Sequence, residues 1–151
     1  MTIDHVELFV SDRYAAEQWY ERALGLAVIP ESESWASDPR GPLMISGDGG
    51  TTKLALFEGT RPPRPESGFC RVAFRLDATA FAEAIDRLAE LQIRDSRGRP
   101  MGAEARVDHG KAFSVYFSDP YGHQLEITTY DHVAVVKAVA KGRICPTVSP
   151  T

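Results

Sequence analysis

The chain runs through one cycle of secondary structure twice, and an internal repeat of that length constrains the fold more than any single motif. Thr2 to Val10 alternates: Val6, Leu8 and Val10 fall on one side, Ile3, His5, Glu7 and Phe9 on the other, which is the period of a strand. Ser11 and Asp12 offer helix-capping oxygens. Tyr14, Ala15, Trp19, Ala23 and Leu24 recur at helical spacing, and Gly25 supplies the stop. Leu26 to Ile29 is expected as a second strand, ended by Pro30. Glu31 to Gly41 is polar apart from Trp35 and is expected as a loop. Two more strands, Leu43 to Ser46 and Thr52 to Phe57, are joined by the turn Gly47-Asp48-Gly49-Gly50.

After the stiff connector Gly59-Thr60-Arg61-Pro62-Pro63-Arg64-Pro65 the cycle begins again. Phe69 to Leu76 alternates as a strand, and Asp77 caps a helix whose inner face carries Phe81, Ala84, Ile85, Leu88 and Leu91. A short strand near Ile93 and a loop through Ser96 to Gly102 follow. The unit closes on a hairpin. Phe113 to Phe117 enters the turn Asp119-Pro120-Tyr121-Gly122, where Pro120 presets φ and Gly122 admits a positive φ, and Leu125-Glu126-Ile127 leaves it. The expected fold is α+β, with two tandem βαβββ modules at residues 1–58 and 67–130, a linker at 59–66 and an extension at 131–151. Within that extension, Val133 to Ala140 fits a short helix or a strand, packed on the body or on a second subunit.

Aligning the halves sets His5 against Arg71 and Ala55 against Glu126. One side of each first strand is apolar and suits the amphipathic helix. The other gathers His5, Glu7, Lys53, Ala55, Arg71, Arg75, Gln124, Glu126 and Thr128. Such a polar side either meets solvent or lines a cleft. Glu126 is its most demanding member, because a carboxylate between two apolar residues requires a cation, hydrogen bonds or water.

Composition removes several function classes. A net charge of −4 with no basic stripe gives no footprint for nucleic acid. No run approaches the length of a membrane span, and the N-terminus lacks the basic and apolar regions of a secretory signal. The two cysteines, Cys70 in an apolar strand pattern and Cys145 near the end, form no CxxC pair, which fits a reduced cytoplasmic setting and no zinc-thiolate site.

The segments Asp4-His5-Val6-Glu7-Leu8, Trp19-Tyr20-Glu21 and Leu24-Gly25-Leu26, with Phe117-Ser118-Asp119-Pro120-Tyr121-Gly122-His123 and Leu125-Glu126-Ile127, resemble the vicinal oxygen chelate superfamily. That superfamily groups glyoxalase I, bleomycin-resistance proteins, fosfomycin-resistance proteins and extradiol dioxygenases. The resemblance implies curved mixed sheets that form a small-molecule cleft and a homodimer. In metal-dependent members it implies a divalent ion (Fe, Mn, Ni or Zn) held by side chains from the first and last strands of each module. Carried onto this chain, those positions are His5, Ala55, Arg71 and Glu126. His5 and Glu126 suit a metal or catalytic role. Ala55 has no donor atom, and the Arg71 guanidinium offers no lone pair.

Two function readings stay open. In one, the metal site is degraded and the cleft takes an anionic or oxygen-rich ligand through Arg71, Arg75 and Lys53, with Phe9 and Tyr116 as an apolar wall. In the other, His5 and Glu126 hold a divalent ion in a lyase or dioxygenase. An Arg71–Glu126 ion pair, bidentate in its best geometry, would separate the first from the second. His109 reads as part of a surface turn, His123 as structural, and His132 as free to lie near the cleft mouth. An interaction module using the sheet and Val133 to Ala140 is the third alternative.

Overall fold

Each half of the repeat builds a four-stranded mixed sheet with a helix on one face, in a computed structural model that describes residues 3–59 and 70–140. The chain divides into two compact units, Met1–Gly68 and Phe69–Thr151. The proline-rich connector from residue 60 onward, and residues 141–151 with Cys145, lie outside the described residues.

In the first unit the order is β1 (His5–Val10), α1 (Arg13–Leu24), β2 (Ala27–Val28), β3 (Leu43–Ser46) and β4 (Lys53–Glu58), with sheet order β1-β4-β3-β2. β1 runs parallel to β4 and sets Glu7 beside Ala55; β3 is antiparallel to β4 and sets Met44 opposite Ala55. Asp12 caps α1 by accepting from the Tyr14 and Ala15 amides, and Gly25 ends it at φ 70°, a conformation that costs glycine little. Leu8, Val10, Ile45, Leu54 and Leu56 are buried, as are Ala16, Tyr20 and Ala23 of α1. Burying each large aliphatic side chain contributes roughly 1.5–3 kcal/mol, so this face holds the module together.

The stretch expected as a loop between β2 and β3 is partly helical. Pro30–Ser32 forms a 3-10 turn and Glu33–Ala36 a short helix, α2. Pro30 stands at the start of the turn, where its fixed φ fits. The stronger cause lies elsewhere in the chain. The buried Arg13 guanidinium donates to the carbonyls of Ala36, Asp38 and Gly41, supplying the partners a helix end lacks. Gly41 is required there, since a Cβ would sit 2.0 Å from the Trp35 carbonyl oxygen. Trp35 itself is exposed.

The second unit repeats the plan with β5 (Arg71–Arg75), α3 (Ala78–Glu90), β6 (Val107–Asp108), β7 (Phe113–Ser118) and β8 (Gln124–Thr129), in sheet order β5-β8-β7-β6. Ala73 stands beside Glu126 as Glu7 stands beside Ala55, so the two halves share one register. The expected strand near Ile93 reduces to isolated bridges, Arg94 with Pro100 and Asp95 with Phe117. Asp95 explains this: its carboxylate accepts from the amides of Arg97 and Arg99 and from Arg99 Nε, folding the chain into a tight turn. Val107–Asp108 supplies the outer strand instead. Cys70 lies just before β5 and is exposed, not set in an apolar strand.

Val133 to Ala140 falls within a helix, α4 (His132–Ala140), against its own β-branched content. Tertiary contact overrides propensity here. α4 packs on α3, Val135 is fully buried, and Asp131 Oδ2 accepts from the Ala78 amide at 3.0 Å, tying the start of α4 to the start of α3.

Candidate functional site

The polar face of the second module is built by three strands. Strand alternation and the ladder register put Arg71 and Arg75 of β5, Glu126 and Thr128 of β8, and Ser114 and Tyr116 of β7 on one side. Leu125 and Ile127 point the other way and are fully buried. The Arg71 guanidinium lies over the Tyr116 ring, 4.3 Å from its centroid. Its NH1 approaches Glu126 Oε2 at 3.8 Å. The Arg71–Glu126 ion pair considered from sequence is present, at a separation longer than a hydrogen bond and without bidentate geometry.

The other Glu126 oxygen is held more tightly. Ser114, 1% exposed, donates through Oγ to Oε1 at 2.7 Å. Thr128 Oγ1 lies 3.0 Å from Ser114 Oγ and 3.3 Å from the Phe113 carbonyl oxygen. Each hydroxyl has one proton: Ser114 gives its own to the carboxylate, and the single Thr128 proton is divided between Ser114 Oγ and the Phe113 carbonyl oxygen. Sequence reasoning missed Ser114; its signal was a serine in the apolar run Phe113 to Phe117, at the same parity as Tyr116.

His109 also belongs to this face. Its Nε2 stands 2.8 Å from the Tyr116 hydroxyl. A turn after β6 presents it: the Asp108 carboxylate accepts from the Gly110 amide at 2.7 Å and pairs with His132 Nε2 at 2.8 Å. The Gly110 amide draws the Asp108 carboxyl below the usual carboxylate range against burial, the next largest effect, and His132 and His109 add to the lowering. Arg75 lies over the Tyr130 ring at 5.2 Å. His123 is buried against Asp119, Nδ1 to Oδ2 2.6 Å, and the Asp119 carboxylate also accepts from the Tyr121 and His123 amides.

The corresponding face of the first module carries His5, Glu7 and Phe9 of β1 with Lys53 and Ala55 of β4. Lys53 Nζ pairs with Asp4 Oδ1 at 2.7 Å and donates to the Gly50 carbonyl at 3.0 Å. The second Asp4 oxygen lies 2.8 Å from His5 Nδ1, leaving Nε2 4.0 Å from Glu7 Oε1. The Lys53 ammonium, then His5, hold the Asp4 carboxyl below its ordinary range. Phe9 stacks on Phe57 at 5.8 Å. Ala55 is fully buried opposite Met44.

These residues do not make a donor set for the divalent ion that the sequence resemblance implies. Ala55 has nothing to offer, and Arg71 brings a fixed positive charge where a lone pair is needed. Among the described residues no group of three or more His, Cys, Asp or Glu side chains is placed to hold a metal. A unit charge repels another by roughly 4 kcal/mol at about 4 Å and an effective dielectric near 20, so Arg71 weakens any cation close to it.

A family model described as Glyoxalase/Bleomycin resistance protein/Dioxygenase superfamily matches residues 2–127. Metallothiol transferase FosB of Staphylococcus epidermidis (strain ATCC 12228 / FDA PCI 1200) is 28% identical over 136 residues, which span 85% of this chain and 81% of that protein. Among solved structures, oxidase ChaP-H1 is 28% identical with a TM-score of 0.62, covering 85% of this chain and 95% of that one. A glyoxalase/dioxygenase from Nostoc punctiforme is 26% identical with a TM-score of 0.61, covering 85% and 90%. The two four-stranded mixed sheets match the fold of these neighbours.

Proposed function

Because this chain belongs to the glyoxalase/bleomycin resistance protein/dioxygenase superfamily, we propose that it takes an anionic or oxygen-rich small molecule on the polar face of its second module, with Arg71 as anchor in place of a metal ligand. The observation that carries this reading is the guanidinium stacked on Tyr116 beside Glu126, at the position aligned with His5. An arginine backed by an aromatic ring and a carboxylate is held in one orientation, and its planar fork suits carboxylate and phosphoryl oxygens. Arg75 adds positive charge at the same edge, and Tyr116 supplies apolar surface. Glu126, with Oε1 engaged by Ser114, keeps Oε2 for a proton on the ligand. His5, Phe9 and Lys53, also expected from the sequence as site residues, stand on the corresponding face of the first module, where Lys53 pairs with Asp4. The setting proposed is cytoplasmic and the assembly a homodimer.

A second reading has its own support. His5 and Glu126 are present, and the FosB relatives carry "metallothiol" in their name. Under it, these two residues hold a divalent ion in a transferase, lyase or dioxygenase.

Metal analysis of the purified protein separates the two. The first reading expects far less than one Fe, Mn, Ni or Zn per chain, unchanged by His5→Ala. It also expects saturable binding of inorganic phosphate or acetate by calorimetry, lost in Arg71→Ala. One metal per chain that disappears in His5→Ala establishes the second reading and ends the first.

A further inference from the structure

We infer that His132, on the C-terminal helix, is a positioning residue for the ligand-binding face of the second module, acting through Asp108 on the His109–Tyr116 pair beside Arg71. The ligand-binding part of this inference rests on the function proposed above; the positioning does not.

The connection is a run of contacts within one module. α4 is fixed before it reaches Asp108. Val135 is fully buried, Asp131 holds the Ala78 amide, and the His132 ring stacks on the buried Phe113 ring at 4.7 Å with 12° between planes. A ring so constrained presents Nε2 in one place. There it meets Asp108 Oδ1 at 2.8 Å, and since an ionised carboxylate only accepts, Nε2 carries the proton. The same Asp108 oxygen takes the Gly110 amide. Gly110 has a φ of 77°, and the His109 amide reaches the Ala112 carbonyl at 2.9 Å, so the turn has one shape. That shape sets the His109 ring edge-on to Tyr116, 78° between planes, with Nε2 at the phenol oxygen. Tyr116 is the ring on which Arg71 lies.

Without His132, Asp108 loses its side-chain partner, and the turn keeps the Gly110 amide on Asp108 and the His109–Ala112 backbone bond. A network partner removed at one end loosens the far end when the intermediate groups are shared. The Tyr116 hydroxyl then loses a fixed acceptor or donor, and the ring beneath Arg71 gains freedom.

The test compares His132→Ala with His132→Gln in the full chain. The glutamine amide nitrogen can stand where Nε2 stood and donate to Asp108. Side-chain nuclear magnetic resonance of the His109 and Tyr116 rings is read first, then titration with inorganic phosphate. Expected in His132→Ala are displaced or broadened His109 and Tyr116 ring signals and phosphate binding weakened about fivefold to tenfold, the scale of one supporting hydrogen bond. Expected in His132→Gln are near-native ring signals and binding within about twofold. Unmoved His109 and Tyr116 signals in His132→Ala overturn the inference. So does a glutamine variant as perturbed as the alanine one, since the effect then comes from packing and not from the bond to Asp108. If the unaltered protein binds no phosphate, the anion reading of the face fails, and the ring signals still decide the role of His132.

Discussion

The two modules share a register and put different chemistry on it. At matched positions His5 stands for Arg71, Ala55 for Glu126 and Met44 for Tyr116. The first module pairs Asp4 with both Lys53 and His5 at the end of the sheet, leaves Glu7 exposed on the edge strand β1, and keeps Ala55 and Met44 buried between. The second carries its polar groups into the middle of the sheet and satisfies them there, with Ser114 on Glu126 and Arg71 on Tyr116. Duplicate backbones thus leave side chains free to diverge. A sheet centre accepts a carboxylate only where neighbouring strands supply its partners.

The sharpest way to break that comparison is to give the first module the second's acid. Ala55→Glu places a carboxylate in a fully buried position beside Glu7 and opposite Met44, with no hydroxyl in the role of Ser114. A loss of about 4 kcal/mol or more is expected in denaturant unfolding. A loss under about 1 kcal/mol would show that both centres tolerate charge alike.

The turns before the last strands differ in the same sense. Asp119 has a fully buried side chain paired with His123, whereas Asp48 folds its turn at the surface. Asp119→Ala should cost about 3 kcal/mol, because it strips two amides and a buried imidazole of one acceptor. Removing the donor from the second module's centre comes next. Ser114→Ala should cost about 1.5 kcal/mol, the range for a hydrogen bond to a charged group, and should weaken phosphate binding by freeing Glu126 to turn towards Arg71.

The smallest effect is visible only in its pH dependence. The Thr52 amide and hydroxyl, with Ser46, draw the Asp48 pKa from 3.8 down to about 2. A lowered folded-state pKa contributes stability that is fully present above the unfolded value and fades as pH falls through the folded one. The native protein should therefore exceed Asp48→Asn in stability at neutral pH, and the gap should close between about pH 4 and pH 2. Thermal melts across that interval measure it. A gap independent of pH would mean the carboxylate charge contributes nothing to the turn.

Legibility followed the range of the forces involved. Asp12, Gly25, Asp77 and Gly122 announced helix and turn boundaries because caps and positive φ act within a few residues. α2 was not legible, because the carbonyls at its end are met by Arg13 from a distant helix. Nor was the outer strand Val107–Asp108, which is defined by its pairing with Phe113 and Ser114 of β7 and not by a period of its own. In the site, alternation and the alignment of the halves put Arg71 and Glu126 on one side of a sheet, and the pairing of β7 with β8 set Tyr116, read from sequence as an apolar wall, opposite Glu126. His109 read as a surface turn because its partner Tyr116 is reached only through the pairing of β6 with β7.

The sequence by itself determined the doubled βαβββ plan, the helix boundaries set by local caps, and the chemical misfit of Ala55 and Arg71 to a metal. Those properties reside in side-chain identity and short-range backbone preference. Tertiary structure decided what each polar group touches: that Lys53 serves Asp4, that Ser114 holds Glu126, and that the helix bearing His132 reaches the turn bearing His109. Such contacts join residues distant in the chain, and a period of two along a strand specifies which side a residue faces but not what it meets there.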